Sequence, residues 1–346
     1  MAGTNDTVAA YAGIVDYRPF AESDPGLDVS ALGGRGNFGT QRIYTSANPM
    51  PRADRAGTNE SNRDNRLEGS GHDGFAEGQI RWLLPLLDGT HNRIGNLHDR
   101  GGTAPPPIRA GLIRGQAEIF TRDLSVADEG QTQSFATFGG RLNLSFDTRD
   151  NELNPTRGIL LQTGVSADPG WADDGDSWWT LEGEASGFAP LPLGQSFLRR
   201  LVIGAGLWTI DTPSWDEAPD GTITHRPPPF DGAKLGGFDH LRAYSFNRFN
   251  DRAAWHFTLE LRAMPDFDPE IRLPYIGSIG IVWWLVVLFT EIGRVAPEWN
   301  PETFIDDPRM DIGLGLRALV FGGLLRGDLA YGDEGVGLKF MVGHAF

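Results

Sequence analysis

Cysteine is absent from the 346 residues, which removes disulfides, thiolate metal sites and thiol catalysis. No apolar run reaches the roughly 20 residues that a membrane-spanning helix requires. The longest, from Ile279 to Phe289, contains Trp283 and Trp284 and is rich in β-branched and aromatic residues, the composition of a strand. It leaves an unusually apolar inner face if it lines a water-filled lumen. A secretory signal is also missing, since Met1-Ala-Gly-Thr-Asn has neither a basic start nor an apolar core. The expectation is a mature form carrying an added start Met, with a cytoplasmic protein as the alternative. His72, His91, His98, His225, His240, His256 and His344 show no His-x3-His metal spacing, and no Ser lies in a Gly-x-Ser-x-Gly elbow. A lipid hydrolase of a barrel wall would need a Ser–His pair facing lipid, whereas His256 falls on the polar face of its strand. No enzyme activity, catalytic residue, metal or cofactor is expected. Basic residues are outnumbered 30 to 46, a net charge of −16, so nucleic acid is excluded as a partner by phosphate repulsion.

What is present is alternation, with abundant glycine (46 residues), 10 Trp and 20 Phe. In the closing stretch, Val336, Leu338, Phe340, Val342 and the terminal Phe346 share one face, while Gly337, Lys339, Met341 and Gly343 share the other. Arg141-Leu-Asn-Leu-Ser-Phe-Asp147, His256-Phe-Thr-Leu-Glu-Leu-Arg262, Asp311-Ile-Gly-Leu-Gly-Leu-Arg317 and Leu325-Arg-Gly-Asp-Leu-Ala-Tyr331 repeat the pattern. A soluble sandwich also alternates. Here the polar face carries full charges (Arg141, Asp147, Glu260, Arg262, Asp311, Arg317, Arg326, Asp328), which a dry core refuses without pairing and a water-filled lumen accepts. The fold class is therefore all-β, a transmembrane antiparallel β-barrel with aromatic girdles. Thirteen candidate strands stand near 6–19, 35–46, 70–87, 108–122, 133–148, 158–167, 176–190, 197–211, 253–264, 277–295, 309–320, 324–332 and 336–346. The last ten are clear and the first three are not. Segments 47–70, 88–107 and 212–252 read as loops, and the whole of 1–346 as one barrel domain.

Three landmarks then resemble one family. Phe146-Asp147-Thr148-Arg149-Asp150-Asn151-Glu-Leu-Asn154-Pro155-Thr156-Arg157-Gly158 sits between two alternating strands. It resembles the Asp-Thr-Arg-Asp…Pro-Thr-Arg-Gly hairpin of the bacterial surface-antigen barrels, within the outer-membrane assembly and translocation barrel superfamily. Leu235-Gly236-Gly237-Phe-Asp-His-Leu241-Arg242-Ala243-Tyr244 is similar to the Gly-Gly…Leu-Arg-Gly-Tyr of that family's sixth extracellular loop, which folds back into the lumen. Phe289-Thr-Glu291-Ile-Gly293-Arg294 is similar to its acidic-X-Gly strand motif, and Thr258-Leu-Glu260-Leu-Arg262 lies between. Residues 133–346 carry the likeness well, and Gly71–Glu77 onward resembles the POTRA-less branch.

The resemblance implies 16 strands, with 12 or 14 open on the visible count, and a place in the outer membrane of a Gram-negative bacterium. It implies that Arg242 on the in-folded loop pairs with Glu291, a bidentate guanidinium–carboxylate pair, to hold the loop. Ala243 stands where the family has Gly, and Glu291 where Asp is commoner. Asp147, Arg149, Asp150, Pro155 and Gly158 are read as a stitched turn, and Phe346 as the C-terminal signal. Implied partners are outer-membrane lipid and lipopolysaccharide, the barrel-assembly machinery during biogenesis, and a homo-oligomer. The functional expectation is a barrel that passes or inserts a polypeptide or lipid. A structural barrel plugged by its own loop and a non-specific porin are the alternatives. The periplasmic POTRA domains that receive client chains in family assembly factors are not expected in 1–346, which puts client handling in doubt.

Overall fold

The computed structural model describes residues 8–17, 27–45, 55–84, 111–128, 131–171, 176–193, 197–267, 271–273, 277–279, 281–320 and 323–343. Thirteen strands form one sheet in which chain order is spatial order. They are β1 (Val8–Tyr17), β2 (Asp28–Ile43), β3 (Leu67–Leu84), β4 (Leu112–Asp128), β5 (Gln131–Asp147), β6 (Gly158–Asp168), β7 (Trp178–Pro190), β8 (Leu198–Asp211), β9 (Ala253–Pro265), β10 (Ile281–Ala296), β11 (Arg309–Val320), β12 (Gly323–Gly332) and β13 (Gly335–Gly343). Every neighbouring pair is antiparallel. The chain is thus an all-β transmembrane barrel wall. Among the described residues no helix is long and apolar enough to cross a membrane, which says nothing against crossing by strands.

Alternation decides which face each residue takes. Leu142 and Leu144, Phe257 and Leu259, Ile312, Leu314 and Leu316, and Val336, Leu338 and Phe340 all point outward and are exposed, as a lipid-facing belt must be. Their strand neighbours Arg141, His256, Glu260, Asp311 and Lys339 point inward. Val342 and Phe346 lie outside the described side chains.

The apolar run has a physical explanation. In β10 the outward Val286 and Leu288 are exposed, while the inward Trp283, Leu285, Val287 and Phe289 are buried. These four pack with Met264, Leu319, Leu324 and Ala330 into a dry cluster inside the wall, so this part of the lumen is filled with side chains. The reading of one strand over 277–295 needs correction. Gly277–Ile279 pairs instead with Ile271–Leu273 in a small separate hairpin, and the wall strand starts at Ile281.

Two other boundaries differ instructively. Strand β2 begins at Asp28, seven residues before the expected start, because Ala31, Gly33 and Gly34 give it no apolar signature. Strand β4 runs on to Asp128, beyond the expected end at 122, through outward-facing Asp123 and Ser125 that look like loop residues. Segment 88–107 lies outside the described residues.

Because each strand reverses the last, connections alternate between two ends. Segment 212–252, the described part of 44–66, segment 297–308 and the turn at 333–334 share one end. The turn at 148–157 lies at the other. With thirteen antiparallel strands, β1 and β13 run in the same direction, and among the described residues neither pairs with a second neighbour.

Candidate functional site: a loop seated in the lumen

Segment 212–252 turns inward and brings its own core. Ala233, Leu235, Leu241, Tyr244 and Phe249 are buried against Trp208, Ile210, Ala254 and Val295 of the wall. A two-residue ladder, Lys234–Leu235 with Phe249–Asn250, closes the loop's neck. Gly236 takes φ +99° there and Gly237 φ +136°, a region that a side chain disfavours. Leu241 adopts φ +52°, whereas Ala243 is not among the positive-φ residues. The alanine that replaces the family's glycine therefore meets no backbone strain.

At the tip, Arg242 is 2% exposed and Glu291 is 1% exposed. The structure brings them together, with Nε of Arg242 3.1 Å from Oε1 of Glu291. The geometry differs from a two-pronged pair. Glu291 Oε2 accepts the backbone N–H of Arg242 at 2.7 Å, and the guanidinium is shared. Its Nη2 donates to Glu260 Oε1 at 2.9 Å, Nη1 lies 3.7 Å from Asp328 Oδ2, and its carbon sits 3.5 Å from the centre of the Phe289 ring. Burial alone would lower the Arg242 pKa, but Glu291, Glu260 and Asp328 outweigh it and hold it above its ordinary value. Glu260 also receives Arg317 at 2.8 Å and Arg262 at 2.7 Å, and Asp328 receives Arg326 at 2.6 Å. The result is a buried ionic network, in which each charge has company.

The residues on either side are fixed as well. The Ala243 N–H donates to Asp311 Oδ2 at 2.8 Å. The Ala243 backbone lies against Gly337 of β13, where any Cβ would collide with its carbonyl; the space that the tip needs is supplied by the wall. Tyr244 donates its hydroxyl to the Met310 carbonyl at 3.1 Å and accepts Lys339 Nζ on its own carbonyl at 2.7 Å. Burial pushes the Tyr244 phenol up to about 12. His240 stacks on Trp208 at 4.2 Å between ring centres and stands 4.8 Å from His256. Burial, then the neighbouring His256, press His240 down to about 3, so it is neutral. Gly293 lies on the wall under Leu235.

Arg248 ties the loop to two other segments. It donates to the Ala56 carbonyl at 2.5 Å, to the Ser61 carbonyl at 2.8 Å and to Glu334 at 2.8 Å. Asn250 donates to the Tyr44 carbonyl at 2.7 Å. Below the loop remains a polar cavity of about 750 Å³, bordered by Glu77, Glu182 and Glu184 on one side and Arg262, Arg317 and Arg326 on another.

The other motif is a turn at the far end. Asp147 accepts the Arg149 N–H at 2.9 Å and pairs with its guanidinium at 2.9 Å. Asp150 accepts the Thr156 and Arg157 N–H groups at 2.8 and 3.3 Å, and Asn151 accepts those of Leu153 and Asn154. Pro155 lies inside this stitched turn, and Gly158 closes it at φ +103°. Phe346 lies outside the described residues. Asp328, Asp311, Arg248 and Lys339 were not read as site residues. Asp328, Asp311 and Lys339 looked like ordinary solvated lining of the wall, and Arg248 lies in the loop beyond the stretch that carried the motif. Among the described residues no group of His, Asp and Glu could hold a metal ion.

A β-wall with an apolar outer face and its own loop pinned inside is the architecture of a membrane β-barrel. An Omp85 superfamily domain matches residues 87–346, and the chain belongs to that superfamily. That superfamily comprises outer-membrane β-barrels connected with protein transport. A solved structure similar to this chain is that of BamA from Haemophilus ducreyi lacking POTRA domains 1–3. The identity is 11% and the TM-score 0.48, with 97% of this chain and 62% of that one covered. The chain thus spans less than two thirds of that protein's structure. No curated protein matches.

Proposed function

We propose that residues 1–346 act as a single outer-membrane barrel domain that passes or inserts a polypeptide or lipid and rests closed, its lumen stoppered by segment 212–252. The carrying observation is the shared guanidinium of Arg242, set among Glu260, Glu291 and Asp328. Its role is to hold the loop. Membership of a translocation superfamily supports the transport half of the reading. The dry cluster around Trp283 and Phe289 supports the closed half, because it and the seated loop fill part of the lumen with packed side chains. On this reading its partners are outer-membrane lipid, lipopolysaccharide and the assembly machinery, with a homo-oligomer as a further state.

The test is a pair of reconstitutions. In planar bilayers the intact chain should show only small, intermittent conductance, and Arg242→Ala should raise it. In vesicles, the chain should accelerate folding of an added, urea-unfolded outer-membrane barrel, followed by its heat-dependent gel shift. A large steady conductance of the intact chain would favour a porin. Neither conductance nor acceleration, in the variant as well, would favour a structural barrel.

A further inference from the structure

A second constellation lies on the opposite face of the wall. In β4, Gln116 lines the inner cavity, Glu118 pairs with inward Arg141 and Arg122 lies over Phe230 of the seated loop, so Ile119, Thr121, Asp123 and Ser125 point outward. In β3, Glu77, Gln79 and Arg81 point inward and His72 outward. His72 and Ser125 are direct cross-strand partners. Ser125 Oγ lies 2.6 Å from His72 Nδ1, and His72 Nε2 lies 2.7 Å from Asp123 Oδ2. A hydroxyl, an imidazole and a carboxylate are thus in line, each within hydrogen-bond reach of the next. Ser125 is buried under the ring at 6% exposure, while Asp123 is exposed. A third residue orienting the base is what separates a nucleophile–base pair from an incidental contact.

We propose that Ser125, His72 and Asp123 form a serine-hydrolase site on the outer wall that cleaves acyl esters of membrane lipids. The substrate class follows from where the three residues stand. Towards the middle of the wall, the outward residues are apolar and exposed: Ile119, Leu142 and Leu144. Towards the loop end, the outer face carries the exposed Arg42–Glu68 pair at 3.1 Å. Phe138 stacks on the exposed Trp171 on the same face. It pairs with Thr121, four positions or about 13 Å along the strand from Ser125. Aromatic rings of this kind mark the membrane interface, and Ser125, further towards the loop end, stands on its polar side, in the headgroup region of the lipids. Exposed Arg35 and Asn37 on β2 stand in register with Gly74 and His72. They set a cation and an uncharged donor on the same outer face, two strands from Ser125, suited to a headgroup phosphate.

The chemistry balances without a metal or redox partner. His72 Nδ1 takes the proton of Ser125 as its Oγ attacks the ester carbonyl carbon. The tetrahedral adduct collapses, the alkoxide of the lipid leaves, and His72 returns the proton to it. Water, activated by His72, then hydrolyses the acyl-Ser125 ester, releasing a fatty acid and restoring the hydroxyl. Ser125 and His72 are catalytic residues in this scheme. Asp123 is a positioning residue, which fixes the proton on Nε2 and stabilises the imidazolium. This inference is independent of the loop in the lumen.

The full chain, folded in detergent micelles, is exposed to an alkyl fluorophosphonate, and the labelled peptide is mapped by mass. One label per folded chain on Ser125 is expected, and none on chain denatured beforehand. Ser125→Ala should take no label while keeping its heat-dependent gel shift. His72→Asn should label at least roughly 100-fold more slowly, and Asp123→Asn should displace the pH profile of labelling. Fatty-acid release from short-chain phospholipid micelles should follow the same order. Should a variant fail to fold, site mapping on the unmodified chain still decides. The proposal is overturned if Ser125 of the folded chain stays unlabelled after prolonged exposure, or if it labels at an unchanged rate without His72.

Discussion

At the scale of single residues, Arg242 and Glu291 differ in what they leave behind. Removing the arginine takes a partner from three carboxylates at once, Glu260, Glu291 and Asp328, although Glu260 keeps Arg262 and Arg317 and Asp328 keeps Arg326; removing Glu291 leaves the guanidinium with the other two. Breaking a buried ionic partnership costs about 3–5 kcal/mol. Arg242→Ala should fall in that range and Glu291→Ala below it, and the double variant should be close to Arg242→Ala alone. Urea unfolding of the four forms checks this, and strictly additive losses would show that the pair does not interact. His240 gives a pH dependence with a definite sign. Its folded pKa is depressed to about 3 from an ordinary value near 6.5, so unfolded chains take up a proton that the folded loop refuses. Its stabilising effect is complete above about pH 6.5 and is lost as pH falls toward 3. His256, Glu291, Arg242 and Lys234 share that field, so the measurement is a difference. Protease sensitivity of the loop between pH 7 and 4 should rise less in His240→Phe, which keeps a ring on Trp208. Arg242 and Glu291 were legible in the sequence because each sits in a motif. The outward trio His72, Asp123 and Ser125 was not, since each residue comes from an unremarkable strand position and only the β3–β4 register joins them.

At the scale of elements, β13 is both wall and seat. Gly337 makes way for the Ala243 backbone, and Lys339 holds the Tyr244 carbonyl. Gly337→Val should leave the barrel folded yet displace the tip. The expected outcome is faster cleavage within 236–247 by an added protease, with an unchanged heat-dependent gel shift; an undisturbed loop would contradict the fit. The cysteine-free background makes the facing of β13 directly measurable. A lone Cys at 338 in vesicles should resist a membrane-impermeant thiol reagent, and one at 339 should react once the loop is loosened by Arg242→Ala. Strands were legible wherever one face is apolar and the other charged, as in β5, β9 and β11. The signal failed in β2, where small residues carry no contrast, and past residue 122 in β4, where polar groups sit on the lipid side. The interior of β10 was legible as a strand, but its dryness was not. Two apolar faces look alike until Leu319, Leu324 and Met264 are brought over from other strands.

For the whole molecule, paired backbone within a membrane wall predicts resistance to SDS until boiling; identical gel mobility before and after heating would count against a barrel. Arg248 carries a different implication, about time. Its partners at Ala56 and Ser61 lie 192 and 187 residues back along the chain, while Glu334 sits 86 residues ahead, in the last hairpin. Asn59 likewise reaches the Asp307 carbonyl across 248 residues, and Arg63 the Glu334 carbonyl across 271. Contacts of such sequence separation form late, after the chain between them has been ordered. Loop, early segment and final turn therefore meet only once β12 and β13 have arrived. A sealed lumen is in that sense a completion signal: a chain stalled before its last hairpin stays ajar, and its openness distinguishes it from a finished one.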